Sequence, residues 1–206
     1  MKSNESNAEQ IFTRIFQTGG WRSRESASGP GSTVRITGTI RALIPDLIDK
    51  YKLQTILDIP CGDFNWMKEV DLSSVNYLGA DLVADLVAQN NEKYARDNVK
   101  FTKLDLAVDL LPRVDMVLTR DCLVHLSFTE CLQAISNIKK SDSKYLLATT
   151  FPALTAHEDI VTGGFRKLNL ALEPFNFPLP LELYSENHDV MINPHKCLGL
   201  WDISQL

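Results

Sequence analysis

The four cysteines of this 206-residue chain, at 61, 122, 131 and 197, form no Cys-x-x-Cys pair. That argues against a zinc knuckle or a thioredoxin-type site, and the thiols are expected to be reduced. No stretch approaches the ~20 apolar residues of a membrane span, so no membrane partner is expected. Positive charge is also scarce, with 21 Lys and Arg against 26 Asp and Glu. Bulk nucleic-acid binding needs a basic face, so no nucleic-acid partner is expected. The opening Met1–Asn7 is polar, which reads against a secretory signal and for a cytoplasmic location. With 44% hydrophobic and 23% charged residues, the composition is that of an ordinary globular domain able to bury its own core.

The charge that is present is uneven. Residues 1–50 carry seven Lys and Arg and five Asp and Glu. Ala8–Gln17 places Ile11, Phe12, Ile15 and Phe16 at helical spacing, and Gly19-Gly20 stops it. Ser26–Ser32 reads as a flexible loop. A second helical stretch is predicted from about Thr33 to Tyr51, kinked or split at Pro45. Residues 1–52 are therefore read as an N-terminal helical cap and 53–206 as the core of a single structural unit.

From residue 55 the pattern becomes short apolar runs alternating with helices. Strands are predicted at Thr55–Ile59, Asn76–Ala80, Val99–Leu104, Asp115–Thr119 and Tyr145–Thr150. Helices are predicted at Phe64–Val70, Ala84–Arg96 and Phe128–Lys140, the last opened by the capping box Ser127-Phe128-Thr129-Glu130. Two tail strands, Leu181–Tyr184 and Leu198–Ile203, suggest an antiparallel hairpin on the sheet edge. The expected fold is α/β: a Rossmann-like, doubly wound, mostly parallel seven-stranded sheet with that C-terminal hairpin and the helical cap.

Ligands of such sheets sit beyond the carboxyl ends of the strands. After the first strand the chain reads Asp58-Ile59-Pro60-Cys61-Gly62-Asp63-Phe64-Asn65. A dinucleotide site wants Gly-x-Gly-x-x-Gly, and here Pro60 and Asn65 replace two of the three glycines. Asp63 would add repulsion of about 4 kcal/mol per phosphate charge at ~4 Å and an effective dielectric near 20. S-adenosylmethionine, with an amine and a sulfonium and no phosphate, would find the same acids attractive. Asp81 ends the second strand, placed to accept ribose hydroxyls, and Asp105 follows the third, placed to accept from an adenine amine.

Residues 55–150 resemble the class I S-adenosylmethionine-dependent methyltransferases. The resemblance runs through Leu57–Asp63, Gly79-Ala80-Asp81, Asp105-Leu106 and Asp115–Leu126. It implies a cofactor site in which Gly62 lies against the methionyl part, Asp81 on the ribose and Asp105 at the adenine. Asp58, Pro60, Leu82, Leu106 and Arg120 complete the expected cofactor set. The chain departs from the family's usual glycines at Pro60 and Phe64.

Methyl transfer needs alignment of acceptor, methyl carbon and sulfur. A neutral hydroxyl acceptor benefits from a base, whereas an anionic oxygen needs cations to hold it. Asp121 and His125, four residues apart beyond the fourth strand, are the catalytic candidates, although a histidine there can also simply bond the backbone. Trp21, Arg22, His157 and Arg166 are the candidates for substrate binding, Arg166 as a fork onto an anion. Trp21-Arg22 and Ser28–Ser32 are expected to close the site. His157-Glu158-Asp159 is poorly spaced for a metal, and none is expected.

The expected activity is methylation, on oxygen before nitrogen, of a small polar acceptor, anionic or sugar-derived. The competing readings are a catalytically silent methyltransferase-fold subunit and a nicotinamide-dependent oxidoreductase. The tail hairpin permits a homodimer without requiring one.

Overall fold

The computed structural model describes residues 7–186 and 195–206. Met1–Ser6, most of the segment read against a signal sequence, lie outside the described residues. The chain builds a seven-stranded sheet in the order β3-β2-β1-β4-β5-β7-β6. The strands are β1 (Thr55–Asp58), β2 (Asn76–Asp81), β3 (Val99–Lys103), β4 (Met116–Thr119), β5 (Tyr145–Thr150), β6 (Glu182–Ser185) and β7 (Cys197–Asp202). The first five run parallel; β7 runs antiparallel to both β5 and β6. The expected fold and edge hairpin are therefore present, with β7 inserted between β5 and β6.

Successive residues of a strand face opposite sides, and this sheet is covered on both. Ile56, Tyr77, Met116 and Leu118 join one apolar cluster with Ile40, Ile44 and Leu47 of helix α2 (Gly38–Tyr51). Leu57, Val117, Leu146 and Ala148 join a second with Ala134, Ile135 and Ile138 of helix α4 (Phe128–Lys140). The α4 capping box is formed: Glu130 N donates to Ser127 Oγ, and Ser127 N to Glu130 Oε2.

Two expectations need correction. Of the two outcomes expected at Pro45, the split is absent, because buried Ile40, Ile44, Leu47 and Ile48 hold one continuous α2 to the sheet on both sides of it. The predicted Phe64–Val70 helix is only a single turn, Met67–Glu69. Phe64 adopts a left-handed backbone (φ 57°), and Asn65 Nδ2 donates instead to Glu25 Oε1 and the Ser32 carbonyl. The segment after β5 is tied to the β4 end: Gly163 N donates to the His125 carbonyl at 2.9 Å and Arg166 N to that of Val124 at 3.0 Å. Its Leu168 and Leu170 are fully buried.

Helices α1 (Asn7–Thr18) and α3 (Ala84–Tyr94) complete the fold, α3 crossing from β2 to β3. No helix among the described residues is long and apolar enough to cross a membrane. The chain runs outward from β1 to β3, then returns to place β4 beside β1. This reversal opens a crevice at the carboxyl ends of β1 and β4.

Candidate active site

The crevice holds a cavity of about 310 Å³, within the range of small-molecule sites. Its wall is assembled from four strand ends and the N-terminal segment. At β1, Asp58 is almost fully buried and accepts from Tyr77 Oη at 2.6 Å. Burial raises its carboxyl to about 7, against the lowering effects of the Tyr77 bond and Arg120. Asp81, at the end of β2, accepts from Gly62 N at 3.1 Å and Val83 N at 3.0 Å. Burial raises it to about 6 although these amides favour its ionised form. Gly62 has φ 57°, which glycine adopts without strain. A Cβ there would stand 2.1 Å from Ser28 Oγ.

Asp105 and Leu106, after β3, line the same cavity as Asp58, Pro60, Gly62, Asp81, Leu82 and Arg120. Every residue in the expected cofactor set is thus at one cavity. The carboxylates of Asp58, Asp81 and Asp105 come from three neighbouring strand ends.

The N-terminal segment reaches this rim through Asp63. Its carboxylate accepts from Ala27 N at 2.6 Å and Ser26 Oγ at 2.9 Å, while Ser28 Oγ accepts from Asp63 N at 3.2 Å. Phe12, Phe16, Trp21 and the Ser28–Ser32 loop line the cavity opposite the strand ends.

His125 and Asp121 are also on the wall. His125 Nδ1 lies 2.6 Å from the Gly164 carbonyl oxygen. A carbonyl only accepts, so Nδ1 carries the proton and neutral His125 presents an unprotonated Nε2. Burial is the main reason its pKa falls below the ordinary histidine value. Both sequence readings of His125 meet here, a backbone hydrogen bond on one nitrogen and a free base on the other. Asp121 is different: burial opposes its charge, but Lys196 and Arg120 hold its carboxyl well below the usual range. Lys196 Nζ is 2.6 Å from Asp121 Oδ2 and 3.3 Å from Glu186 Oε2; Arg120 is 3.2 Å and 2.7 Å from the same two acids. A carboxylate held so firmly ionised by two cations is a weak proton acceptor, which makes His125 the better base.

Three expected substrate contacts are not at the cavity. Arg22 is exposed and outside its wall. His157 packs on Phe128 and Phe175, with both ring nitrogens engaged: Nε2 with the Glu173 carbonyl and Nδ1 with Asn169 N. Arg166 is buried at the start of α4, where Nη1 donates to the Leu126 carbonyl at 2.6 Å and the guanidinium lies 4.8 Å from the Phe128 ring centre. His157 and Arg166 are committed to holding the 151–181 segment in place. Trp201 is in the core.

Lys196 and Glu186 escaped the sequence reading. Their signal was topological: Lys196 precedes the antiparallel β7, whose beginning meets the carboxyl end of β5, and Glu186 follows β6, which runs in the same direction as β5.

No protein-family model matches this sequence, and a search of curated proteins finds no match. Solved structures do match. Human N-acetylserotonin methyltransferase in complex with S-adenosylmethionine aligns over 96% of this chain and 60% of its own, at 13% identity and TM-score 0.62. The PH0226 protein of Pyrococcus horikoshii OT3 aligns over 93% and 97%, at 17% identity and TM-score 0.58. With the matching strand order already described, these likenesses decide the fold. The chain has the class I methyltransferase fold. A third match, the [4+2]-cyclase SpnF, covers 69% of this chain and 60% of its own at 17% identity and TM-score 0.52. This chain thus spans about three fifths of two of these three proteins. The methyltransferase fold positions a ligand between β1 and β4, and its chemistry rests on the side chains there.

Those side chains suit S-adenosylmethionine. The buried carboxyls of Asp58 and Asp81, whose ionisation burial disfavours, would gain from a cation or from hydroxyl donors. Gly62 brings backbone to the cavity wall without a Cβ. The arrangement is poor for a pyrophosphate, which would face Asp58, Asp63, Asp81 and Asp105 together.

Proposed function

We propose that the chain is an S-adenosylmethionine-dependent methyltransferase that methylates an oxygen of a small-molecule acceptor. The observation that carries this reading is the convergence of Asp58, Asp81 and Asp105 with Gly62 on one cavity at the β1/β4 reversal. In it, Asp81 takes the ribose hydroxyls, Asp105 the adenine edge, and Gly62 and Asp58 the methionyl end. Of the expected 1–52 cap, α1 and the Trp21–Ser32 stretch cover the cavity while α2 packs into the core with 53–206, and the enzyme works in the cytoplasm.

The cofactor supplies a methyl carbon activated by a sulfonium. His125 Nε2 takes the acceptor hydroxyl proton as the oxygen–carbon bond forms and the carbon–sulfur bond breaks, and passes it to solvent. Phe12, Phe16 and Trp21 keep water from the reacting atoms.

Calorimetry with S-adenosylmethionine and S-adenosylhomocysteine tests the reading, with NADH as the control. Binding of both sulfur compounds and not of NADH is expected; saturable NADH binding alone would overturn it. The cyclase likeness keeps a second reading in view, a cofactor-binding protein of this fold that transfers no methyl group. Tight S-adenosylmethionine binding without methyl transfer to any acceptor in a broad panel favours that second reading.

A further inference from the structure

We infer that the acceptor is a neutral aromatic molecule bearing a hydroxyl, seated against Trp21, His125 and Phe165. This deepens the proposed function and rests on it for the identity of the reaction.

The first observation is what becomes of positive charge at the cavity. Arg120 and Lys196 are the only arginine and lysine among its described lining residues. Both are more than nine-tenths buried, and each is paired with both Asp121 and Glu186. Two cations and two carboxylates close on each other and leave no net charge for an anion. The other lining carboxylates are Asp58, Asp63, Asp81, Asp105 and Glu130. A carboxylate or phosphate acceptor would enter a field of its own sign.

The second observation is the base. An acceptor that is already an anion needs none, but a phenol-like hydroxyl, with a pKa near 10, must lose its proton during transfer. His125 is held in the tautomer that leaves Nε2 unprotonated. Among the described residues the site has a base and no free cation, which is the combination a neutral hydroxyl requires and an anion does not.

The third observation is the surface around that base. The Trp21 ring centre lies 4.6 Å from that of His125 at an interplanar angle of 47°, and the Phe165 centre 5.5 Å away at 50°. Phe165 is 53% exposed although it lines the cavity. Phe12 and Phe16 extend the apolar wall from α1. Aromatic faces left partly open beside a base suit a flat apolar body whose hydroxyl reaches the imidazole.

Three probes of one shape test this: 2-naphthol, 2-naphthoate and 2-(aminomethyl)naphthalene, neutral, anionic and cationic near pH 7. Their affinities are measured calorimetrically with and without saturating S-adenosylhomocysteine. Naphthol is expected to bind about tenfold or more tighter than naphthoate, a difference of ~1.4 kcal/mol. Trp21→Ala and Phe165→Ala should each weaken naphthol about 5- to 20-fold while S-adenosylhomocysteine affinity stays within about twofold. Equal or tighter binding of naphthoate, tighter binding of the amine, or no binding of naphthol overturns the inference. Failure of S-adenosylhomocysteine to bind overturns the donor assignment instead, and the probe series without it still decides the acceptor class.

Discussion

The Gly164 carbonyl oxygen accepts from His125 Nδ1 at 2.6 Å, and this contact makes Nε2 the unprotonated imidazole nitrogen. His125→Ala is therefore expected to lower kcat about 10²- to 10⁴-fold. S-adenosylhomocysteine affinity should be unchanged, because the cofactor carboxylates lie at other strand ends. Burial places the His125 pKa below its ordinary value. The rate should thus be flat above neutrality and fall with acid only below the ordinary histidine range. A pH–rate profile that still rises steeply above pH 8 would remove His125 from the base role.

Asp58 and Asp81 couple stability and binding to pH. Their folded-state pKa values, about 7 and about 6, exceed the ordinary aspartate value. The folded chain therefore holds protons that the unfolded chain has lost. The stability they give is complete below about pH 4 and is lost as pH rises through 6 to 7. In the ligand-free protein, Asp58→Asn should flatten part of that fall, as read by denaturant melts from pH 4.5 to 8. A cationic ligand favours the ionised acids, so S-adenosylmethionine binding near pH 6 should release protons, and binding at pH 8.5 should not. Calorimetry in buffers of different ionisation enthalpy measures this release directly.

Gly62 and Ser28 form a close junction between the strand rim and the N-terminal segment. In Gly62→Ala the new methyl group would meet Ser28 Oγ and the residue would keep a left-handed backbone. A loss of about 1–3 kcal/mol is expected from the backbone strain. Adding Ser28→Ala relieves the clash and not the strain, so it should restore only part of the loss. Asp63→Ala should leave the core folded but free the 26–28 loop. Limited proteolysis should then cut the N-terminal segment faster than in the parent chain.

Arg166 is expected to behave as a structural residue. Arg166→Ala strips the Leu126 carbonyl of its 2.6 Å donor and opens space beside Phe128. Stability should drop by about 2–4 kcal/mol. The acceptor KM, measured well below the melting temperature, should stay within about twofold. A KM change of tenfold with unaltered stability would return Arg166 to substrate binding.

The strands were legible because a covered parallel sheet writes itself as short apolar runs, and β5 and α4 match their expected bounds. The cofactor rim was legible for a related reason: in this topology the residue closing each parallel strand must lie on one edge. The acceptor side was not. Arg166 and Lys196 are both cations near the carboxyl rim in sequence terms, and nothing local distinguishes the one that reaches the cavity. Arg166 lies in a segment whose carbonyl and amide bonds turn its guanidinium toward Leu126. Lys196 opens an antiparallel strand whose direction carries it to the site.

Short apolar runs, strand-end aspartates and Gly62 belong to the chain itself, since each expresses a pattern or a backbone freedom of a few consecutive residues. The pairing of Arg120 and Lys196 with Asp121 and Glu186, the tautomer of His125 and the aromatic wall beside it were settled only when distant segments met. Their energies depend on which charges and rings become neighbours in space, and contact between residues tens of positions apart leaves no local mark.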